Sequence, residues 1–127
     1  MSRKAPSVLV ADDDQMTVQL LSARLRKAGY AVTPAYDAMQ AFMYAGRAAP
    51  DIVLVDVNMP GGGGLGVLSK LKSSAKMAQV PVVAMSVSTD PALPAEAAGL
   101  GAEGFLRKPV DFDQLFELLE QLIGKAP

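Results

Sequence analysis

The chain contains no cysteine and no histidine. Without cysteine there is no disulfide framework, no thiolate metal site and no thiol catalysis. Without histidine there is no histidine-based triad, no imidazole metal ligand and no phosphohistidine within this chain. Any metal ion held by these side chains must therefore have oxygen ligands.

Long apolar runs and an excess of charge of one sign are also missing. No stretch approaches the roughly 20 apolar residues that span a bilayer, and the N-terminal residues lack the apolar core of a signal peptide, so we expect a cytoplasmic protein. The net charge of −1 gives no broad surface field for binding nucleic acid or a membrane. The 127 residues, 50% of them hydrophobic, predict one domain with a packed core.

Four short apolar segments are each followed directly by polar or charged side chains. They are residues 8–11 before Asp12, Asp13 and Asp14, residues 52–55 before Asp56, residues 80–85 before Ser86, and residues 104–107 before Lys108. If the segments are parallel strands, these side chains meet at one edge of a sheet, where open α/β folds bind ligands. A desolvated carboxylate at such a position needs a cation or hydrogen-bond donors to offset its cost, which favours a functional role for Asp56.

Helical patterns separate these segments, which predicts a doubly wound α/β domain with a parallel sheet. The predicted helices are residues 15–28, residues 38–48, a helix marked by Leu65, Leu68 and Leu71, a short helix near 94–98, and residues 112–123. A weaker strand at 30–35 contains Pro34, and proline is best tolerated at a sheet edge, so we expect this strand there.

Several details of the helices follow from the same patterns. Asp14, Asp37 and Asp111 precede predicted helices and are expected to be N-caps. Gly29 is expected just beyond the end of the first helix. The apolar side of the second helix is expected to be formed by Met39, Phe42, Met43 and Ala45.

Five features in fixed order resemble the receiver domain of two-component response regulators, the CheY-like family. They are Asp12-Asp13 after the first strand, Asp56 after the third, Met59-Pro60 behind it, Ser86 after the fourth, and Lys108-Pro109 after the fifth. The resemblance extends over nearly the whole chain. It implies a single receiver domain over residues 1–127, with a core of about 7–124, and a flavodoxin-like (βα)5 fold with strand order 2-1-3-4-5.

The resemblance implies that Asp56 accepts a phosphoryl group from a phosphohistidine on a partner. Both reactants are negatively charged, so Mg²⁺, for which Mn²⁺ could substitute, is the implied cofactor. Asp13 and Asp56 would bind it through their side chains, Asn58 through its backbone carbonyl, and Asp12 mainly through bound water. Asp14 is assigned to helix capping instead.

The remaining site residues are also assigned by the resemblance. Lys108 would pair with Asp56 before phosphorylation and then hold a phosphate oxygen, and Ser86 would donate a hydrogen bond to another. Ser86 and Phe105 would form the switch that reshapes the surface of the fourth helix, fifth strand and fifth helix, although Phe105 could equally be a core residue. The loop-shaping residues would be Met59, Pro60 and Pro109.

Two positions depart from the family pattern. Gly63-Gly64 stand where receivers commonly have Asp-Gly, and the four glycines from Gly61 predict a mobile loop. Val87 stands where the family usually has alanine or glycine. Its branched side chain would narrow access to the phosphoryl site and slow both phosphorylation by small donors and hydrolysis.

The resemblance implies a signalling switch and not a turnover enzyme. Its partners would be a histidine kinase or histidine phosphotransfer protein and a downstream protein or fused output domain, with no nucleic acid or membrane bound by this domain. A monomer and a phosphorylation-dependent dimer both remain open, as do a stand-alone regulator and the receiver of a longer protein. One alternative is a receiver-like interaction module that works without phosphorylation. A second, a haloacid-dehalogenase-type phosphatase, needs an acid at the position of Asn58.

Overall fold

Five parallel strands form one sheet in the computed structural model, which describes residues 5–60 and 63–124. The strands are β1 (Ser7–Ala11), β2 (Ala31–Ala35), β3 (Ile52–Asp56), β4 (Val82–Ser86) and β5 (Gly104–Arg107). Their spatial order is β2-β1-β3-β4-β5, and every neighbouring pair is parallel. The doubly wound α/β fold and the expected strand order are therefore confirmed, and β2, which contains Pro34, lies at an edge as predicted.

The connections between the strands are helical. The helices are α1 (Gln15–Lys27), α2 (Ala38–Ala48), α3 (Gly63–Ser73), α4 (Leu93–Gly99) and α5 (Phe112–Ile123). These bounds agree closely with the predicted ones. Strand β4 begins later than expected, at Val82, because Pro81 before it has no N–H to donate to the ladder. None of these helices in the described ranges is long and apolar enough to cross a membrane.

The sheet separates two layers of core. In β1 the side chains alternate, so that Val8 and Val10 pack with α1 and α5 while Leu9 and Ala11 pack with α2, α3 and α4. Both faces of the central strands are buried, as expected for a parallel sheet with helices on both sides. The ends of the strands are therefore the positions of the sheet at which polar side chains can act.

The predicted caps are present. The carboxylates of Asp14, Asp37 and Asp111 each accept a hydrogen bond from a backbone N–H in the first turn of the helix that follows. Gly29, just beyond α1, has a φ of 100°, a conformation that glycine adopts without a steric penalty. These local interactions fix where α1, α2 and α5 begin and where α1 ends.

The apolar side predicted for α2 does not face the core at three of its four residues. Met39, Phe42 and Met43 are exposed, and only Ala45 of the four is buried. The buried side of α2 is made of alanines, Ala38, Ala41 and Ala45, which allow the helix to lie close to the sheet. Helical spacing identified an apolar face correctly but could not indicate which of two apolar faces points inwards.

The glycine run is also different from the prediction. Gly61 and Gly62 lie outside the described residues, but Gly63 and Gly64 form the start of α3 instead of a mobile loop. A Cβ atom on Gly64 would lie 2.1 Å from the carbonyl oxygen of Asp56. Gly64 is therefore required for the close approach of α3 to the end of β3.

Candidate functional site

Three acidic side chains meet where β1 and β3 end side by side. Carboxylate oxygens of Asp12, Asp13 and Asp56 all lie within 4.8 Å of one another. Asp12 is fully buried, Asp56 is 5% exposed and Asp13 is exposed. Carboxylate oxygens are the ligands that Mg²⁺ prefers, and an exposed third ligand leaves a side open to water. The donor set therefore fits a magnesium site.

Lys108, the residue after β5, brings a cation into this acidic cluster. Its ammonium group contacts the carboxylate of Asp12 and lies 3.5 Å from Oδ2 of Asp56. The expected pair with Asp56 is thus present, but the closer contact is with Asp12. The second carboxylate oxygen of Asp12 accepts the backbone N–H of Asp14 at 3.0 Å, which fixes this carboxylate in its buried position. One cation consequently serves two buried carboxylates.

The pKa of Asp56 reflects this excess of two buried carboxylates over one cation. Burial raises the pKa of the Asp56 carboxyl above its ordinary value, and the neighbouring charge of Asp12 raises the pKa further. Lys108 acts in the opposite direction, as does the backbone N–H of Asn58, which lies 3.4 Å from Oδ1. Protein groups thus only partly compensate the negative charge of Asp56, and a bound cation would compensate it further.

Ser86, the last residue of β4, begins a series of hydrogen bonds between residues that are two apart in the sequence. The sequence analysis did not predict this series. Its fully buried hydroxyl accepts the N–H of Ser88 at 3.0 Å. The hydroxyl of Ser88 accepts the N–H of Asp90 at 3.1 Å, and Oδ1 of Asp90 accepts the N–H of Ala92, the N-cap of α4, at 2.9 Å. The Ser-x-Ser-x-Asp spacing, typical of successive side-chain-capped turns, was the available signal.

Phe105 and Arg107 lie on β5 next to this chain of turns. Phe105 is partly buried and packs against the core cluster that includes α2 and α3 residues. The guanidinium carbon of Arg107 is 5.7 Å from the Phe105 ring centroid, and the same guanidinium donates to the carbonyl of Ser88. The ring is neither fully buried nor free, so its switch role stays a prediction.

The loop after β3 holds the other residues predicted around Asp56. Asn58 is exposed and Met59 is 5% exposed, so the methionine anchors the loop in the core. The carbonyl of Pro60 accepts the N–H of Ala38 at 3.2 Å, which joins this loop to the first turn of α2. A structural role for Met59 and Pro60 fits these contacts.

Pro109 and Val87 flank the site on its β5 and β4 sides. Pro109 is exposed and follows Lys108 through a cis peptide bond. Val87 is 67% exposed, so it does not pack into the core. Its proposed effect on access to the site remains a prediction that kinetic measurement must decide.

Comparison with known proteins agrees with this geometry. Residues 8–120 match the model of the response regulator receiver domain. The chain is 37% identical over 115 residues to the response regulator PleD of Caulobacter vibrioides, covering 91% of this chain and 25% of that protein. It is 35% identical over 124 residues to the transcriptional regulatory protein ZraR of Salmonella typhimurium, covering 98% of this chain and 28% of that protein. The chain thus spans about a quarter of the length of these two relatives.

Solved structures show the same likeness. The chemotaxis protein CheY4 of Vibrio cholerae superposes with a TM-score of 0.88 at 29% identity, over 94% of this chain and all of that one. The Francisella response regulator 1452 receiver domain gives a TM-score of 0.85 at 27% identity, over 92% of this chain and 95% of that one. The matched sequence, the strand order and the acidic cluster facing Lys108 agree, and the chain belongs to the family of response regulator receiver domains.

Proposed function

We propose that the chain is a phosphorylation switch in which Asp56 accepts a phosphoryl group from a phosphohistidine of a kinase or phosphotransfer protein. A carboxylate oxygen of Asp56 attacks phosphorus, the P–N bond to the imidazole breaks, and the new P–O bond makes an acyl phosphate. Water later attacks the same phosphorus, releasing inorganic phosphate and regenerating the carboxylate. The observation that supports this most is the partly compensated, buried carboxylate of Asp56 beside Lys108.

A magnesium ion fits the acidic cluster and belongs to the proposal. Asp12, Asp13 and Asp56 would hold it with the backbone carbonyl of Asn58, and Mn²⁺ can substitute because it accepts similar oxygen ligands. When bound, the ion supplies positive charge that screens the carboxylate from the incoming phosphoryl oxygens. Asp12, already held by Lys108 and by the N–H of Asp14, contributes mainly negative charge and orientation.

Lys108 and Ser86 are the groups suited to bind the phosphoryl oxygens. The ammonium of Lys108 is 3.5 Å from the acceptor carboxylate, so a short movement of its flexible stem places it on a phosphoryl oxygen. Ser86 is the last residue of β4, the strand next to β3, and its hydroxyl hydrogen can be donated to a second oxygen. Both side chains belong to the sheet edge that carries Asp56.

The hydrogen-bonded turns that begin at Ser86 offer a route from the site to the surface. If the hydroxyl turns towards a phosphoryl group, it weakens its bond with Ser88, and the turns through Asp90 to the start of α4 must adjust. Phe105 would follow this movement, reshaping the surface of α4, β5 and α5 for a downstream protein or a fused output domain. We propose this signalling role, in the cytoplasm, in place of a turnover reaction.

Intact mass spectrometry tests the proposal. The protein is incubated with Mg²⁺ and either acetyl phosphate or a phosphorylated histidine kinase, beside an Asp56→Asn control. We expect one added phosphoryl group in the wild type and none in the variant or in the presence of EDTA. If neither donor gives an adduct, the phosphorylation switch is wrong and an interaction module that works without phosphorylation replaces it.

A further inference from the structure

Helix α2 carries its large apolar side chains on the outside. Met39, Phe42 and Met43, spaced three and four residues apart, lie on one face and are 69%, 39% and 41% exposed. The opposite, buried face consists of alanine. Isolated exposed apolar residues are ordinary, but three on one helical face form a contiguous patch of the kind that marks an interaction site.

This patch is one wall of a groove between α2 and α3. The groove encloses about 320 Å³, and its lining residues are Ala38, Met39, Phe42, Met43, Gly66, Val67 and Lys70. Gly66 lies within α3, yet a Cβ atom there would have no atom within 4 Å. A glycine inside a helix destabilises that helix relative to alanine, and no atom within 4 Å requires a glycine here. Its effect is to keep the groove open.

The two helices that form the groove carry charge of one sign, although Asp37, the N-cap of α2, lies beside its first turn. Neither α2 nor α3 contains an acidic residue, whereas Arg47, Lys70 and Lys72 are basic. The Lys70 ammonium lies 5.9 Å from the ring centroid of Phe42, and the Lys76 ammonium donates to the carbonyl of Gly46 near the end of α2 at 2.8 Å. Lys72 instead pairs with Glu103 at 2.7 Å. An apolar groove whose lining includes the cation Lys70, between two helices that contain basic and no acidic residues, favours an acidic apolar ligand.

We infer that the α2–α3 groove binds an amphipathic helix of a partner protein that carries apolar anchors on one face and acidic residues beside them. A groove between two helices accepts such a helix through anchors spaced three, four and seven residues apart. Two methionines in its wall suit this role, because their flexible, polarisable side chains adapt to different anchors.

The shape and the lining of the groove argue against a membrane and against a small molecule as its ligand. A membrane is bound best by apolar groups that protrude, whereas here Phe42 and the methionines border a concave groove. A small molecule is usually held by a few convergent polar groups in its pocket, and in this lining only Lys70 has a polar side-chain atom capable of hydrogen bonding. The lining contains none of the residues Asp12, Asp13, Asp56, Ser86 and Lys108, so the inference does not depend on phosphorylation.

Peptide binding to the full chain tests the inference. Two displayed libraries share a helical scaffold of about 18 residues, five turns, with random apolar residues at the anchor positions. One library carries glutamate at the flanking positions and the other carries lysine. We expect selection of peptides from the acidic library only, with NMR shift changes on the Met39 and Met43 methyl groups and on the Phe42 ring.

Matched variants locate the binding. Gly66→Leu fills the groove and should weaken the selected peptides at least about tenfold, whereas Gly99→Leu, the same change at an open position in α4, should not. Lys70→Glu should shift preference from acidic towards basic peptides, and Lys27→Glu on α1, with the same net charge, should leave it unchanged. Circular dichroism melting of each variant verifies that it is folded.

Four results would each overturn the inference. The first two are selected peptides that are insensitive to Gly66→Leu, and no selected peptides from either library. The third is binding of anionic lipid vesicles at the groove without binding of acidic peptides, which would assign it to a membrane surface. The fourth is a dimer in sedimentation that Gly66→Leu abolishes, which would assign the groove to a second copy of this chain.

Discussion

Neutralising Asp56 should make the metal-free protein more stable. The folded state places Asp56 within 4.8 Å of two other carboxylates and gives it one cation, Lys108, which it shares with Asp12. Asparagine has nearly the same shape and keeps an oxygen that can accept the N–H of Asn58. Asp56→Asn therefore removes a buried charge while preserving packing.

The magnitude follows from the distances. With an effective dielectric constant of about 20, a like charge at 4.8 Å, the upper limit of the separations in the acidic cluster, repels by about 3.5 kcal/mol, and an opposite charge at 3.5 Å attracts by about 4.7 kcal/mol. The attraction by Lys108 thus exceeds the repulsion by Asp12 by only about 1 kcal/mol. Desolvation of the buried carboxylate, which still costs several kcal/mol after relaxation, and the weaker repulsion by exposed Asp13 outweigh this difference. We expect Asp56→Asn to raise the free energy of unfolding by about 1–2 kcal/mol at neutral pH.

The stability gained through Asp56→Asn should increase as the pH rises. Burial raises the pKa of Asp56 in the folded state above that in the unfolded state. As the pH rises, the unfolded chain loses this proton first, so wild type loses stability relative to Asp56→Asn between the two pKa values. Below about pH 3.9, the ordinary pKa of aspartate, the difference should shrink, and above the folded-state pKa it should be constant.

Urea unfolding in EDTA measures the effect, with Glu117→Gln as a control that removes an exposed acid from α5. The control should change stability by less than about 0.5 kcal/mol. Adding Mg²⁺ should stabilise wild type by about 2.7 kcal/mol at 100 times its dissociation constant and reverse the order of the two proteins, because the variant has lost a ligand. A variant less stable than wild type in EDTA at pH 7 would show that the Asp56 charge stabilises the fold, and the electrostatic reasoning would be wrong.

Three further predictions concern stability outside the charge cluster, and urea unfolding measures each. Ser22→Ala should stabilise by about 0.5–1.5 kcal/mol, because the Ser22 hydroxyl is buried without a hydrogen-bond partner in the described part of the chain; a loss would reveal a hidden partner. Lys72→Met should destabilise by about 1–3 kcal/mol, because the ammonium binds Glu103 and two backbone carbonyls; no change would mean that the bridge is fully screened. Gly64→Ala should destabilise by about 2 kcal/mol or more through its clash with the carbonyl that ends β3, while Gly66→Ala should stabilise by about 0.5–1 kcal/mol; equal effects would contradict the close approach at Gly64.

The strands and the polar residues at their ends could be predicted because the residue pattern of each strand indicates which of its faces are buried. A run such as Ile52 to Val55, apolar at every position, requires burial on both faces, and Asp56 directly after it must lie at a strand end. The N-caps were equally local, since Asp37 and Asp111 each accept from the first turn of their own helix. Resemblance was needed for the strand order.

The errors share a physical cause. Spacing alone could not orient α2, because both of its faces are apolar: one carries alanines, and the other carries Phe42 and the neighbouring methionines. The helix lies close to the sheet, and only the face with the smaller side chains fits there. Gly64 looked flexible, but its packing on the carbonyl of Asp56 joins segments whose contact no local pattern reports. The sharing of Lys108 between two carboxylates likewise depends on side-chain positions at the sheet edge.

At the carboxyl ends of the strands, buried charges are not fully paired, in contrast to the capping, packing and charge pairing in other parts of the fold. Helices α1, α2 and α5 are capped by aspartates, the strands alternate between two apolar layers, and the Glu103 carboxylate is paired with both Lys72 and the N–H of Val82. Among residues 5–60 and 63–124, only those at the ends of β1 and β3 include buried like charges that outnumber the cation beside them. A sequence selected for stability alone would replace one of the two buried acids with a neutral residue. The presence of both acids argues that these strand ends bind a ligand that brings the missing positive charge. Adding Mg²⁺ supplies positive charge and Asp56→Asn removes negative charge, so the change in stability with each one measures the same excess of negative charge.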